Sequence, residues 1–130
     1  MTRSRRTARE AGTKFERLIA DWLKVRLNND NIDRRTRNGR LDRGDIGQVR
    51  AALGGRIVLE LKDSARHDLS GWLEEAELEA ANDDALVGVV VFKKRGTTDP
   101  AAQYVLMSTE SLARLLTGGA PDDDEWGTDA

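Results

Sequence analysis

The stretch GDIGQVRAALGGRIVLELK, residues 44–62, decides the fold of this chain because it predicts a β-hairpin. Gly54-Gly55 is a turn signal between two apolar runs, so the first run folds back beside the second. Side chains alternate between the two faces of a strand, and Glu60 and Lys62 therefore share one face. The opposite face carries Ile57, Leu59 and Leu61. We expect the apolar face to pack in a core and the charged face to carry chemistry.

The hairpin also brings Asp45 toward Glu60. Two carboxylates that converge on one point form a site for a hard cation, and Mg²⁺ prefers carboxylates, retained waters and substrate phosphates as ligands. The ammonium group of Lys62, two residues after Glu60, can neutralise negative charge or orient an attacking water. The hairpin therefore predicts a metal site that activates water.

Length and composition predict one small domain. The chain has 130 residues, of which 38% are hydrophobic, and this is enough for one core. It has no cysteine, which excludes disulfides, thiolate nucleophiles and cysteine zinc sites, and it has a single histidine, His67. The longest apolar run, 87–92, is too short to span a bilayer, and the N-terminus lacks a secretory signal. We expect a cytoplasmic protein with no membrane association.

The net charge of −2 conceals a strong asymmetry. Residues 1–66 hold 17 lysines and arginines against 9 aspartates and glutamates, a net charge of +8, whereas residues 67–130 hold 4 against 14, a net charge of −10. The metal site is predicted in the basic half, and arginine suits phosphate recognition. The basic half is therefore expected to face a polyanion. For any single arginine, a solvated surface position is the alternative interpretation.

Hydrophobic periodicity predicts three segments along the chain. Residues 1–11 are expected to form a flexible basic arm, residues 12–116 the folded domain, and residues 117–130 an acidic disordered tail. Within the domain the predicted elements are a helix over 13–27, a strand over 32–36, the hairpin, a helix over 69–81, a central strand over 87–92, a strand over 104–107 and a last helix, capped by Ser108, through Leu116.

These motifs together resemble the PD-(D/E)xK nuclease superfamily. They comprise Gly12-Thr13-Lys14-Phe15-Glu16-Arg17 on the first helix, Gly44-Asp45, and Glu60-Leu61-Lys62 followed by a helix. Within the superfamily the chain is most similar to the archaeal-type Holliday junction resolvases and their phage relatives, over residues 12–94. The resemblance implies that the expected cytoplasm is that of a bacterium or of a phage-infected host. The resemblance implies an α/β fold with a restriction-endonuclease-like αβββαβ core, a mixed central sheet and an extra C-terminal helix.

The resemblance also implies the site residues. Glu16, Asp45 and Glu60 match the metal-binding carboxylates, Lys62 matches the catalytic lysine, and the metal is Mg²⁺, with Mn²⁺ as a substitute. Two departures stand out: Asn38-Gly39 replaces a Ser-Gly loop, and Trp72 falls where family members often carry a glutamine. Contacts to DNA are expected from Arg3, Arg5, Arg6, Arg9, Lys14, Arg17, Arg34, Arg35, Arg37, Asn38, Arg40 and Arg43.

The expected function is metal-dependent, structure-selective DNA cleavage that resolves four-way junctions by phosphodiester hydrolysis. A four-way junction is cut in two strands, so a homodimer acting on branched double-stranded DNA, without a small-molecule cofactor, is the expected assembly. One alternative is a related nuclease acting on flaps, ends or replication intermediates. Another is a non-catalytic DNA-binding module. The acids of the second helix, Glu74, Glu75, Glu77 and Glu79, are expected to face solvent or a partner subunit.

Overall fold

The computed structural model describes residues 4–35 and 44–119. The elements in chain order are α1 (Arg5–Arg26), β1 (Asp33–Arg34), β2 (Ile46–Gly47), β3 (Ile57–Lys62), α2 (Leu69–Asn82), β4 (Val87–Phe92), a 3-10 turn (Pro100–Ala102), β5 (Tyr104–Leu106) and α3 (Thr109–Thr117). They form an α/β fold whose five-stranded sheet has the order β1-β2-β3-β4-β5. Only β3 and β4 pair in parallel among these strands, so the sheet is mixed, as predicted. None of the helices in the described ranges is long and apolar enough to cross a bilayer.

The predicted hairpin is confirmed. Strands β2 and β3 pair antiparallel with Ile46 opposite Leu59. Backbone hydrogen bonds extend this pairing on both sides, from the Asp45 amide to the Leu59 carbonyl and from the Ile57 amide to the Val49 carbonyl, each at 2.8 Å. The chain reverses at the predicted turn, where the Gly54 amide donates to the Ala51 carbonyl at 3.0 Å. The start of β2 is thereby held against the end of β3.

Helices cover both faces of the sheet. Leu59 and Leu61 of β3 pack in the main core with Phe15 and Ile19 of α1, as their alternation predicts. The opposite face, which the sequence predicts to carry chemistry, is covered by α2, and Glu60 is buried beneath that helix.

Gly88 of β4 allows α2 to pack unusually close to the sheet. A Cβ at position 88 would lie 2.1 Å from the carbonyl oxygen of Ala76, so the helix backbone contacts the strand directly. Trp72 and Ala76 of α2 pack with Val90 in a second, smaller core at this contact. The distance between α2 and the sheet is therefore set by backbone atoms, which cannot adjust as a flexible side chain would.

Helix α1 begins at Arg5, not at Thr13, so the prediction of a flexible arm is wrong from Arg5 onward. Ser4 is the N-cap, and its hydroxyl accepts from the Thr7 amide at 3.1 Å. Arginine, alanine and glutamate favour helix even without an apolar stripe, and this propensity outweighs the missing periodicity. All residues from 4 to 10 are exposed. The first turns of α1 therefore present arginines to solvent.

The described residues confirm most of the other predicted elements, with shorter strands near the chain start. Strand β1 covers Asp33–Arg34 of the predicted 32–36, while β4 and the Ser108 cap of α3 agree with the sequence. The predicted acidic tail lies, from residue 120 on, outside the described residues.

Asp83 ties the end of α2 to the sheet. Its side chain is buried, with Oδ2 at 3.1 Å from Nη1 of Arg35 and 3.7 Å from Nε of Arg56. Arg56 also donates to the Asp83 backbone carbonyl. Because Arg35 follows β1 and Arg56 precedes β3, one carboxylate connects both strands to the helix.

Replacing Asp83 by asparagine removes the charge that both guanidinium groups share, so Asp83→Asn should lower the free energy of unfolding by about 1–3 kcal/mol. Chemical denaturation measures the difference. The neighbouring Asp84→Asn is the matched control, because Asp84 is exposed and asparagine tolerates its φ of 51°. Equal stability of the two variants would exclude the structural role assigned to Asp83.

Candidate metal centre

Three elements place acidic side chains around the end of β3. Glu60 projects from β3 toward α2, and Asp45 lies immediately before β2, next to β3. Glu75 and Glu79 are four residues apart on α2, a spacing that stacks two side chains on one face of a helix. A strand, a hairpin partner and a helix thus direct carboxylates toward one region.

Glu60, Glu75 and Glu79 form what we term the acidic cluster. One carboxylate oxygen from each residue lies within 4.8 Å of the other two, and these residues are the one such group of three in the described part of the chain. Glu60 and Glu79 are each 2% exposed, whereas Glu75 lies at the opening of the cluster. The acidic cluster could hold a metal ion.

Asp45 lies beside the acidic cluster but does not belong to it. Its Oδ2 accepts a hydrogen bond from the Leu61 amide at 2.7 Å, which fixes the carboxylate against β3. The preceding Gly44 has φ of +91°, and a Cβ there would lie 2.7 Å from Cγ1 of Val58. Only glycine fits this approach without strain. The Gly-Asp pair therefore sets the carboxylate next to Glu60, as the sequence predicts.

The carboxyl group of Glu60 has a strongly raised pKa. Burial, the hydrogen bond with Glu79 and the negative charge of Asp45 raise the pKa of Glu60 from 4.5 to about 11, against the opposing effect of Lys62. Without a cation, Glu60 therefore carries a proton at neutral pH and shares it with Glu79. Two adjacent buried carboxylates can otherwise ionise together only when a positive charge compensates them.

Lys62 provides a positive charge at the edge of the acidic cluster. Its Nζ lies 3.1 Å from Oε2 of Glu75 and 3.4 Å from Oε1 of Glu60. Burial alone would lower the pKa of Lys62, but the carboxylates of Glu60 and Glu75 more than offset this and raise it. Lys62 is therefore an ammonium ion at neutral pH and links the strand carboxylate to the helix carboxylate.

The donor set fits a hard divalent cation. All three ligand groups of the acidic cluster are carboxylate oxygens, the type that Mg²⁺ and Mn²⁺ favour. Oε2 of Glu60 is buried and meets no hydrogen-bond donor among the described residues. A buried acceptor without a donor is costly, and either a proton or a cation at this position would satisfy it.

The structure does not bring Glu16 into the acidic cluster. Oε1 of Glu16 instead accepts from Nε of Arg34 at 3.4 Å, so two residues predicted at the site pair with each other. Arg35, another predicted DNA contact, forms an ion pair with Asp83.

The other predicted DNA contacts fall into two groups. Five are exposed on α1: Arg5, Arg6, Arg9, Lys14 and Arg17. The remaining five lie outside the described residues: Arg3, Arg37, Asn38, Arg40 and Arg43.

The expectation that all four acids of α2 face solvent or a partner is wrong for Glu75 and Glu79. Glu74 and Glu77 are exposed, but Glu79 is buried against Glu60 and Glu75 contacts Lys62. The position of both residues in the helical repeat indicates that they are partly covered. Each of the two missed residues directly precedes an alanine of the buried stripe, Ala76 or Ala80, so both lie at the border of the packed face.

Comparison of the chain with protein-family models, with curated proteins and with solved structures finds no match. The site must therefore be interpreted from its own geometry.

The raised pKa of Glu60 predicts that the metal-free protein loses stability as pH rises. The unfolded chain releases this proton near pH 4.5 and the folded chain near pH 11, so the unfolded state binds fewer protons in between. In EDTA the free energy of unfolding should fall from about pH 5 to about pH 9, by at most about 1.4 kcal/mol per pH unit, and thermal denaturation measures the decrease. The pKa of Lys62 is raised above its usual value of 10.5, so Lys62 stays charged and adds no slope in this pH range.

Glu60→Gln should flatten this pH dependence, because glutamine resembles the protonated acid and does not ionise. Glu74→Gln is the control, since Glu74 is exposed on the same helix as Glu79. A slope that Glu60→Gln leaves as steep as in the wild type would show that Glu60 ionises normally in the folded state.

Proposed function

We propose that this protein is a metal-dependent DNA endonuclease of the PD-(D/E)xK type that resolves four-way junctions. The element order αβββαβ, the mixed sheet and the C-terminal helix α3 are compatible with the fold that the resemblance implies, and β5 is an additional strand. Fold alone does not define an activity, so the proposal depends on the site.

The observation that carries the proposal is the convergence of Asp45, Glu60 and Lys62 with two further carboxylates of α2. Burying Glu60 beside Glu79 costs stability, since one of the pair must take up a proton or both must bind a cation. A module that only binds DNA gains nothing from this arrangement. Destabilising clusters of this kind are instead typical of catalytic sites, where binding of an ion or substrate offsets the cost.

In the proposed mechanism, Glu60 and Glu79 would hold a divalent cation, with Glu75 and Asp45 available beside them. When bound, Mg²⁺ supplies Lewis-acid activation of the phosphodiester and lowers the pKa of a coordinated water. Lys62 offsets negative charge that develops on the phosphate and orients the water through its ammonium group. Asp45, fixed by the Leu61 amide, keeps its carboxylate aimed beside Glu60. Water, not a side chain, would attack the phosphorus as the bond to one deoxyribose oxygen breaks, so the water oxygen would stay on the phosphate and the deoxyribose oxygen would leave as a hydroxyl group.

The charge distribution supports a polyanionic substrate. The first turns of α1 carry Arg5, Arg6 and Arg9, all exposed, and no acidic residue occupies the first helical turn. Exposed arginines of this kind contact phosphates and give affinity without sequence selectivity. Contacts to backbone phosphates are consistent with recognition of DNA shape. A two-fold dimer, with one acidic cluster per subunit, would cut both strands of a junction.

We expect Asp45→Asn and Glu60→Gln to abolish cleavage of a four-way junction in Mg²⁺ while binding of the junction is retained. Glu60→Gln removes a carboxylate from the acidic cluster and Asp45→Asn removes the negative charge held beside it, so both changes should affect chemistry more than contacts to phosphate. The cleavage assay compares a junction, a flap and a plain duplex, with and without Mg²⁺, and gel shift in EDTA reports binding. Glu74→Gln, on the exposed side of α2, is the control and should cleave normally.

Cleavage retained by a pure Asp45→Asn preparation would contradict the site assignment. A supercoiled plasmid with a cruciform separates the two nuclease functions, because a paired enzyme linearises it within one binding event. An enzyme that only nicks this plasmid and cuts flaps faster than junctions is a flap nuclease.

We expect the triple variant Arg5→Gln, Arg6→Gln, Arg9→Gln to bind every DNA shape more weakly and with a shallower salt dependence. Each lost phosphate contact lowers the slope of log K against log salt by about 0.9 for double-stranded DNA. Fluorescence anisotropy across a salt series measures the slope. Unchanged affinity and slope would mean that the start of α1 does not contact DNA.

A further inference from the structure

A row of side chains crosses three strands at one end of the sheet. Lys62 of β3 is in register with Phe92 of β4, and Phe92 is in register with Tyr104 of β5. Residues in register on neighbouring strands point to the same face of a sheet. Phe92 and Tyr104 therefore lie on the face that carries the candidate metal centre, one and two strands away from Lys62.

Four aromatic rings assemble around this row, and we term His67, Phe92 and Tyr104 the aromatic platform. The ring centroids of Phe92 and Tyr104 are 5.2 Å apart, as are those of His67 and Phe92. Trp72 packs behind them, 5.6 Å from both His67 and Phe92. Trp72 is buried, Phe92 is half-buried, and His67 and Tyr104 are exposed, Tyr104 by 45%. The buried tryptophan thus supports rings that reach solvent.

One lysine of a basic run lies against the aromatic platform. Only four lysines and arginines occur in residues 67–130, and three of them are consecutive, Lys93, Lys94 and Arg95, directly after β4. Nζ of Lys94 lies 5.8 Å from the centroid of the Tyr104 ring, within the range of a cation–π contact. Arg66, immediately before His67, is exposed. Arg95 pairs with Asp63 at 3.4 Å and Lys93 donates to the Thr97 carbonyl, so Lys94 is the residue of this run that contacts an exposed ring.

We propose that the aromatic platform binds an unstacked nucleobase of the DNA strand that enters the candidate metal centre. Exposed aromatic rings flanked by lysine and arginine are the combination that binds single-stranded nucleic acid, by stacking on bases and attracting phosphates. Two strand spacings put Tyr104 about 10 Å from Lys62. That distance corresponds to about three stacked nucleotides at 3.4 Å per step.

This inference rests on the proposed function and adds a substrate feature to it. A branch point supplies bases that have lost a stacking neighbour, whereas an intact duplex does not. A second copy of the chain is a less suitable occupant of the platform. A two-fold contact there would bring Lys93, Lys94 and Arg95 of two subunits together, and like charges repel.

Binding of a fluorescent single-stranded oligothymidine and of a blunt duplex, both in EDTA by anisotropy, tests the proposal without cleavage. Tyr104→Leu should weaken single-strand binding about tenfold or more, because stacking on one ring is lost. Tyr104→Phe keeps the ring and should bind like the wild type. His67→Ala, on a different element, should also weaken single-strand binding. Duplex affinity should stay unchanged in all three variants.

Equal losses for single strand and duplex, or no loss in Tyr104→Leu, would overturn the proposal. A Tyr104→Leu protein that changes from dimer to monomer by light scattering would show that the platform is a subunit interface instead, and would also overturn it. Ring-dependent binding without any Mg²⁺-dependent cleavage would leave the platform standing and reject the nuclease. Mg²⁺-dependent cleavage together with single-strand binding that does not depend on the rings would support the nuclease and reject the platform.

Discussion

The burial of Glu60 between the sheet and α2 is the constraint on which the rest of the structure depends. A carboxyl group that is 2% exposed, next to Glu79 and Asp45, is stable only as a protonated acid or beside a cation. Lys62 is held close by Glu75, so the one ammonium group at the site serves two carboxylates. The folded chain thus holds charge-bearing groups in a geometry that its own packing does not favour, and this is the physical basis for assigning a function to the region.

Local patterns were sufficient to predict the sheet and the central part of the site. Alternation along 57–62 and the turn at Gly54-Gly55 specify the hairpin, and a continuous β-branched run specifies β4. Gly44-Asp45 could be placed next to Glu60 because a hairpin register brings them together. These features depend on interactions between residues close in sequence or on adjacent strands.

Long-range packing explains what the sequence did not predict. Glu75 and Glu79 belong to a helix whose charges follow the pattern of a solvated surface, and only the docking of α2 onto β3 turns two of them inward. Glu16 was expected at the metal centre, but it pairs with Arg34 across α1 and β1. The start of α1 was missed for a different reason, since helix propensity and the Ser4 cap act there without any apolar periodicity.

The direct backbone contact between Ala76 and Gly88 has a consequence for ion choice. Because this contact fixes how far the backbone of α2 stands from the sheet, the backbone positions from which Glu60 and Glu79 extend cannot move apart to suit a larger ion. Mg²⁺ requires ligands at about 2.0–2.1 Å in a strict octahedron, whereas Ca²⁺ takes about 6–8 ligands at 2.3–2.6 Å in flexible geometry. If the acidic cluster holds a divalent cation, a helix that cannot move away from the sheet would favour the smaller ion. Gly88, which offers no side-chain ligand, would thereby influence ion size from a neighbouring strand.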